Sequence, residues 1–488
     1  MTDDRSDATA GCGTVCCGGL LAAAAFGSGA AVVATRQPQL LGPLRGQAPP
    51  CVVGLGVGAG GAIICSGGLI MLPMLRSLLR YWRALAFFWS GGRYADAERR
   101  LGLSKFSRAH LYSLASVPWL MKQPHYRTGT FQEDMLTNLR NVVMPTGLFG
   151  VPLSICARSR LHAMLTAWFV IPAAAFCGST YRSFWGLERS AAECFERSLL
   201  APRDWLQLWR LNCRLASMTA LATQSKDFEL EDKWTFIRAC MEKGIPVTPV
   251  MDKPVTLIAK DVLEEGGMGI HVLKNVLHGG RWILQEKLDN CDAVKQLLPP
   301  DAPLSTMRVL TGSHGALLAL GRRPAPGGAR TLCTVWRAGR LGASTDHSCV
   351  MVDVPSGRGG GDVLGAGSTS AHWYASGWKS LGMPVSTRDG SIASHPDTGL
   401  QLSGRRLAGA ARAAALCERA HDALMPGVPL AGWDVAFCPP RDGSTEPELV
   451  LLEANLSCNF FRGSVAWGEY AELLDAHFAA LDDWRRRR

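Results

Sequence analysis

The stretch LVLLEANLSCNFF, residues 449–461, decides how the rest of the chain is read. Four apolar residues run into Glu453, Ala454 and Asn455. A short apolar run bounded by polar residues fits a strand that simply ends in a turn. It also fits a metal site. Residues i and i+2 of a strand share a face, so Glu453 and Asn455 can offer hard oxygen ligands to one Mg²⁺, which prefers carboxylate and carbonyl-type oxygens. The choice between the two rests on what else the chain brings.

Twenty residues upstream, LAGWDVAFCPP (430–440) carries Asp434 between Trp433 and Val435. Two neighbouring strands ending in Asp434 and in Glu453 and Asn455 would gather two carboxylates and an amide oxygen. That set suits Mg²⁺ bridging polyphosphate oxygens. STMRVLTG (305–312) places Arg308 inside an apolar strand. A buried guanidinium needs an anionic partner, because an unpaired buried charge is costly. A phosphate or carboxylate substrate would serve, and so would a structural Asp or Glu.

LIAKDVLEEGGMGIHVL (257–273) has the form of a strand, a glycine-rich turn and a second strand. The first strand delivers Lys260; the turn holds Gly266, Gly267 and Gly269. Glycine permits positive φ and close backbone approach, so amide groups can face a phosphate that Lys260 also reaches. An ordinary hairpin needs glycine too. The stretch is not a P-loop, since no Gly-Lys-Ser/Thr follows, and a strand rather than a helix comes next, unlike a dinucleotide-binding fingerprint. In RWILQEKLDN (281–290) a strand ends at Gln285 and Glu286. Such an end can present backbone amides to an adenine edge and a carboxylate to a ribose, or be no more than a strand end.

In this order the motifs resemble the ATP-grasp superfamily, most closely its sugar-transfer-associated, α-L-glutamate-ligase-related domains. Lys260, Gly266, Gly267 and Gly269 match the family's nucleotide loop without a gap, with Asp261 in place of its proline and Glu264 in place of its first glycine. Gln285-Glu286, Thr306 and Arg308, HPDTG (395–399), GWD (432–434) and LLEAN (451–455) match further family segments. The similarity covers roughly residues 228–470. One departure falls in STDHSCVMVDV (344–354), where Asp346 is kept but His347 stands in place of asparagine and a glycine pair is missing.

The resemblance implies an α+β, two-lobed fold that clamps ATP between sheets. It implies an ATP- and Mg²⁺-dependent ligase that activates a carboxylate as an acylphosphate for attack by an amine or similar nucleophile. Lys260 and Arg308 would neutralise phosphate oxygens, Gln285 and Glu286 would line the adenosine side, and Asp434, Glu453 and Asn455 would hold Mg²⁺. The alternative is a nucleotide-binding or scaffold protein that kept the fold and lost turnover. A third reading is a membrane protein whose C-terminal half is only a binding module. Cys458, His347, His372 and His395 are expected to be structural.

The remainder sets the context. The chain has 488 residues and a formal net charge of +10, with 47% hydrophobic and 19% charged residues. That excludes wholesale disorder, and no nucleic-acid motif accompanies the positive charge. Sixteen cysteines have no paired CxxC spacing, so reduced structural thiols are expected rather than a zinc site. Cys12, Cys16 and Cys17 flank an apolar stretch, either as lipidation sites or as an unmodified cluster.

Residues 1–85 form an apolar leader. Its run at 51–75 is uncharged, long enough to span a bilayer, and meets Arg76, Arg80 and Arg83. It is read as a possible membrane contact with the catalytic part on the cytosolic side; otherwise the protein is cytoplasmic. The stretch 163–180 is a further apolar candidate that fits a buried helix equally well. Residues 86–227 carry apolar residues at helical spacing. Residues 228–488 alternate short β-rich runs with helices, divided at about 303–304 into two lobes.

Overall fold

A computed structural model describes residues 58–488 apart from 128, 143–150, 251–254, 262–269, 277–281, 325, 356–360, 381–389, 442 and 459–462. Gly266, Gly267 and Gly269, the cysteines near the N-terminus and the first residues of the 51–75 run lie outside the described residues. Cys65–Arg488 form one compact unit, and Met1–Ile64 fall in another.

Within Cys65–Arg488 the chain is mixed α and β, as the sequence predicts. Helices come before the first strand, and further helices lie between and after the strands. Their starts follow from local chemistry: Ser104 caps Lys105–Leu120, a Thr130/Glu133 capping box opens Phe131–Asn141, and Asp204 caps Trp205–Thr223. Asp232 caps Lys233–Glu242, and Gly244 past its end has φ 64°, as expected of a residue closing a helix.

Among the described residues there are nine strands. A small antiparallel sheet has the order β2-β1-β3, from β1 (Val255–Asp261), β2 (Ile270–Val276) and β3 (Trp282–Glu286). A larger antiparallel sheet has the order β7-β6-β5-β4-β8-β9. Its members are β4 (Thr306–Gly312), β5 (Arg330–Gly339), β6 (Cys349–Asp353), β7 (Gly367–Thr369), β8 (Leu430–Cys438) and β9 (Glu448–Asn455). The two sheets are stitched together by residues 247–250. Val247 bridges Leu451 of β9 and Val250 bridges Gln285 of β3.

The large sheet is covered on both faces, which is why β4 and β8 are buried along their whole length. On one face, Met307, Val309, Trp336 and Trp433 pack with helix Ala410–Leu424 and with Phe236 and Ile237. On the other, Leu310, Cys333 and Val335 share a core with Trp205–Thr223 and with Trp467–Arg487. Strands buried on both faces read as continuous apolar runs rather than alternating ones. Through Trp205–Thr223 the helical region at 86–227 therefore supplies part of the cover for the sheet that carries Arg308, Asp434 and Glu453.

Candidate functional site

Strand register brings the candidate residues together. Arg308 of β4 lies directly opposite Asp434 of β8, and Asp434 lies opposite Glu453 of β9. Directly opposed residues on an antiparallel pair share a face. Asn455 is opposite Gly432. A β-bulge interrupts the β8–β9 pairing between Asp434 and Val435, beside Glu453. Bulges re-aim side chains in this way at sheet rims and sites.

The side chains complete what the register sets up. Arg308 Nε donates to Asp434 Oδ1 at 2.5 Å and Nη2 donates to Oδ2 at 3.1 Å. Arg337 of β5 approaches Asp434 Oδ2 at 2.9 Å and Asp346 Oδ2 at 3.2 Å. Thr306 donates its hydroxyl to Asp346 at 2.5 Å and accepts from Arg337 Nε at 3.0 Å. Glu453 reaches into this row. It stands directly opposite Asp434 in the β8–β9 register. It accepts from Asn455 Nδ2 at 3.3 Å and lies 3.6 Å from Lys233 Nζ.

Electrostatics follow from burial. Burial alone would push Asp434 up, but the Arg308 and Arg337 guanidiniums override it and hold the carboxyl well below the usual range. Burial works against the charge on Arg337, and Asp346 and Asp434 raise it above its ordinary value. Arg308, Arg337 and Lys233 thus face Asp346, Asp434 and Glu453, three cations against three anions. Two carboxylates on directly opposed strand positions repel each other unless a cation lies between them. A divalent ion at Asp434, Glu453 and the Asn455 amide would meet an all-oxygen donor set of the right hardness. Among the described residues no cluster of three or more His, Cys, Asp or Glu side chains forms a metal site by itself. The donor set therefore depends on the amide and on oxygens brought by a ligand.

Gly432 explains the glycine of the GWD segment. A Cβ there would come within 2.7 Å of Cys458 Cβ and 3.4 Å of Arg308 Nη1. The missing side chain leaves room for the guanidinium to reach Asp434. Cys458 itself is buried, and burial pushes its thiol up to about 12; Asn212 Nδ2 donates to its carbonyl at 2.8 Å.

The remaining candidates sit on the small sheet. Lys260 is half-buried and lies opposite Ile283, while Ile258 lies opposite Gln285. Lys260 therefore shares a face with Gln285, which is buried, and not with Glu286, which is exposed and belongs to the other face. The 247–250 segment joins Gln285 to Leu451, two residues before Glu453.

Three contributors escaped the sequence reading. Arg337 lies in the apolar run TLCTVWRAG, the same signal that singled out Arg308. Lys233 follows a helix cap and carries no sequence signature. Arg127 comes from the helical region: it donates to Glu231, to Ser457 Oγ at 3.2 Å and to Asp134 at 3.4 Å, so that region walls the turn after β9. The histidines fall outside the row of charges. Burial lowers His347, reinforced by Arg337, and His395 Nε2 donates to the Gly339 carbonyl at 3.1 Å in a turn where Asp397 holds Arg340. In the comparison with known proteins, no family model matches the chain and no curated protein matches it.

Proposed function

We propose that the chain is an ATP- and Mg²⁺-dependent ligase of the ATP-grasp type, joining a small carboxylate to an amine or similar nucleophile. One observation carries the proposal. Asp434 and Glu453 converge from adjacent strands, with Asn455 beside Glu453, on the face that also holds Arg308 and Arg337. In this reading Glu453, Asn455 and Asp434 hold Mg²⁺, which would neutralise polyphosphate charge. Lys260 meets phosphate oxygens from the small sheet, and the β3 end at Gln285 and Glu286 borders the nucleoside. Arg308 and Arg337 keep Asp434 ionised, so that it accepts a metal without first losing a proton.

The charge count sets an order of binding. Three cations already balance three anions, so Mg²⁺ alone would add two uncompensated charges to a partly buried site. With ATP the polyphosphate supplies the offset. Metal and nucleotide therefore bind together.

A second reading is favoured by the same contacts. Asp434 already spends both oxygens on guanidiniums, as a purely structural carboxylate would. The chain would then bind nucleotide, or act as a scaffold, without turnover. Phosphate release by the purified protein, with Mg²⁺, ATP and pools of amino acids and sugar acids, separates the two. Acceptor-stimulated release supports the ligase. Nucleotide binding with no stimulated release supports the second reading.

A further inference from the structure

The helical segment Arg160–Phe184 is turned inside out relative to a soluble helix. It is 25 residues long, apolar by composition, and only 28% of its most apolar window is buried. The residues it buries are small: Ala163, Ala167, Pro172, Ala175, Gly178 and Ser179. Beside exposed Ala173, Cys177 and Thr180 it exposes large apolar residues: Leu161 at 63%, Phe169 and Val170 at 55% each, and Phe184 at 80%. No Asp, Glu, Lys or Arg occurs between 161 and 181. Small residues toward protein and bulky apolar residues outward is the arrangement of helices whose outer solvent is lipid.

Neighbouring features extend this face. Helix Gly58–Trp89 packs beside it: Tyr81 donates its hydroxyl to the Ala167 carbonyl at 2.6 Å, and Trp82 and Trp89 both stack on Trp168. That helix also exposes Leu72, Leu75 and Leu79. Trp185, just past Phe184, is 62% exposed. Exposed arginines lie nearby: Arg76 and Arg83 on one helix, Arg158 and Arg160 at the start of the other. None of these four makes an ion pair among the described residues.

We propose that this two-helix surface is a bilayer-binding site that lies in the interface of an anionic membrane. The large side chains of Arg160–Phe184 enter the acyl boundary, and the unpaired arginines meet lipid phosphates. At 1.5 Å per residue the segment is about 37 Å long. One side of it is committed to protein contacts, so it lies along the membrane rather than crossing it. Burying the same patch against a second copy by a two-fold axis would offer these arginines only the patch's own side chains, which between 161 and 181 include no carboxylate. Anionic lipid complements them instead. The site is independent of the nucleotide reading.

The test uses the full chain with p-benzoylphenylalanine in place of Phe169, mixed with phosphatidylcholine vesicles containing about one-third phosphatidylserine and irradiated. Mass spectrometry of the adduct reads out what touches residue 169. The expected product is an acyl-chain adduct, reduced several-fold when phosphatidylserine is omitted or when Arg158→Ser and Arg160→Ser are combined. A crosslink to a second copy, or no lipid adduct in protein that floats with vesicles through another segment, overturns the proposal. A photoreactive residue at buried Ala167 serves as the internal control and gives protein crosslinks only.

Discussion

Arg308 sits directly across from Asp434 in adjacent strands and grips its carboxylate through both Nε and Nη2. Both side chains are almost fully buried. Arg337 closes on the same carboxylate from the next strand. The charged row is thus built into the middle of the sheet, where β4, β5 and β8 are fixed by packing on both faces, and only its Glu453 end opens outward.

Replacing Asp434 takes a shared carboxylate from two buried guanidiniums, of which Arg337 keeps its contact with Asp346. Asp434→Asn is expected to destabilise the fold by about 3–5 kcal/mol, the range for breaking a buried ion pair from one side. The combined Arg308→Met and Asp434→Leu variant is expected to be less unstable than Asp434→Asn alone, since it removes charge of both signs. Urea unfolding midpoints compare them. Equal midpoints for wild type and Asp434→Asn would show that the row contributes nothing to the fold.

Acid should weaken the protein for reasons visible in two buried histidines. His421 is held between the Thr311 hydroxyl at 2.7 Å and the Val428 carbonyl at 2.9 Å, and His477 contacts the Ser313 carbonyl at 3.0 Å. Burial lowers both to about 4. Between roughly pH 6.5, where an unfolded histidine titrates, and that value, the unfolded chain binds protons that the native one does not. Stability is therefore complete above that window and falls as pH drops through it, by at most about 3 kcal/mol per histidine at about 1.4 kcal/mol per unit. Asp434, held below the usual carboxylate range, adds a loss of the same sign at still lower pH. Unfolding midpoints at pH 7 and pH 5 should differ, and His421→Gln should reduce the difference. A flat profile contradicts the assignment.

Cys458 lies in the turn after β9 but has no thiolate to offer. With its thiol pushed up to about 12 by burial, it should resist alkylation in the native protein at neutral pH and react only after unfolding. Cys458→Ala should keep whatever turnover the wild type has. Rapid native alkylation with loss of activity would put a nucleophile where none is expected.

How far the sequence could be read depended on the kind of signal each residue carried. Asp434 and Glu453 were legible as neighbours because a short connection brings successive strands side by side, but Asp434, expected at a strand end, stands in the middle of β8, whose pairing continues to Cys438. Gly244, at φ 64° just past Lys233–Glu242, is the kind of helix end that glycine's tolerance of positive φ makes readable. Arg308 was recognised as needing an anion, and of the alternatives left open the structure supplies a protein carboxylate. Arg337 carried the same signal and was passed over. Lys233 and Arg127 were illegible, since their roles come from long-range packing of the helical region against β9. Helix Ala410–Leu424 starts directly after Gly409 at φ 88°. Apolar composition at 163–180 fitted a buried helix as well as an exposed one; which side chains face outward is a property of the assembled fold.

The central claim is that Glu453 and its neighbours hold a divalent ion only together with a nucleotide polyphosphate. Calorimetric titration of ATP into the full chain, with and without Mg²⁺, tests it most directly when repeated on Glu453→Gln. Binding that is strengthened tenfold or more by Mg²⁺ in wild type, with that gain lost in Glu453→Gln and no heat from Mg²⁺ alone, is the result the geometry predicts. ATP affinity that ignores Mg²⁺, or a Mg²⁺ effect that survives Glu453→Gln intact, would contradict it.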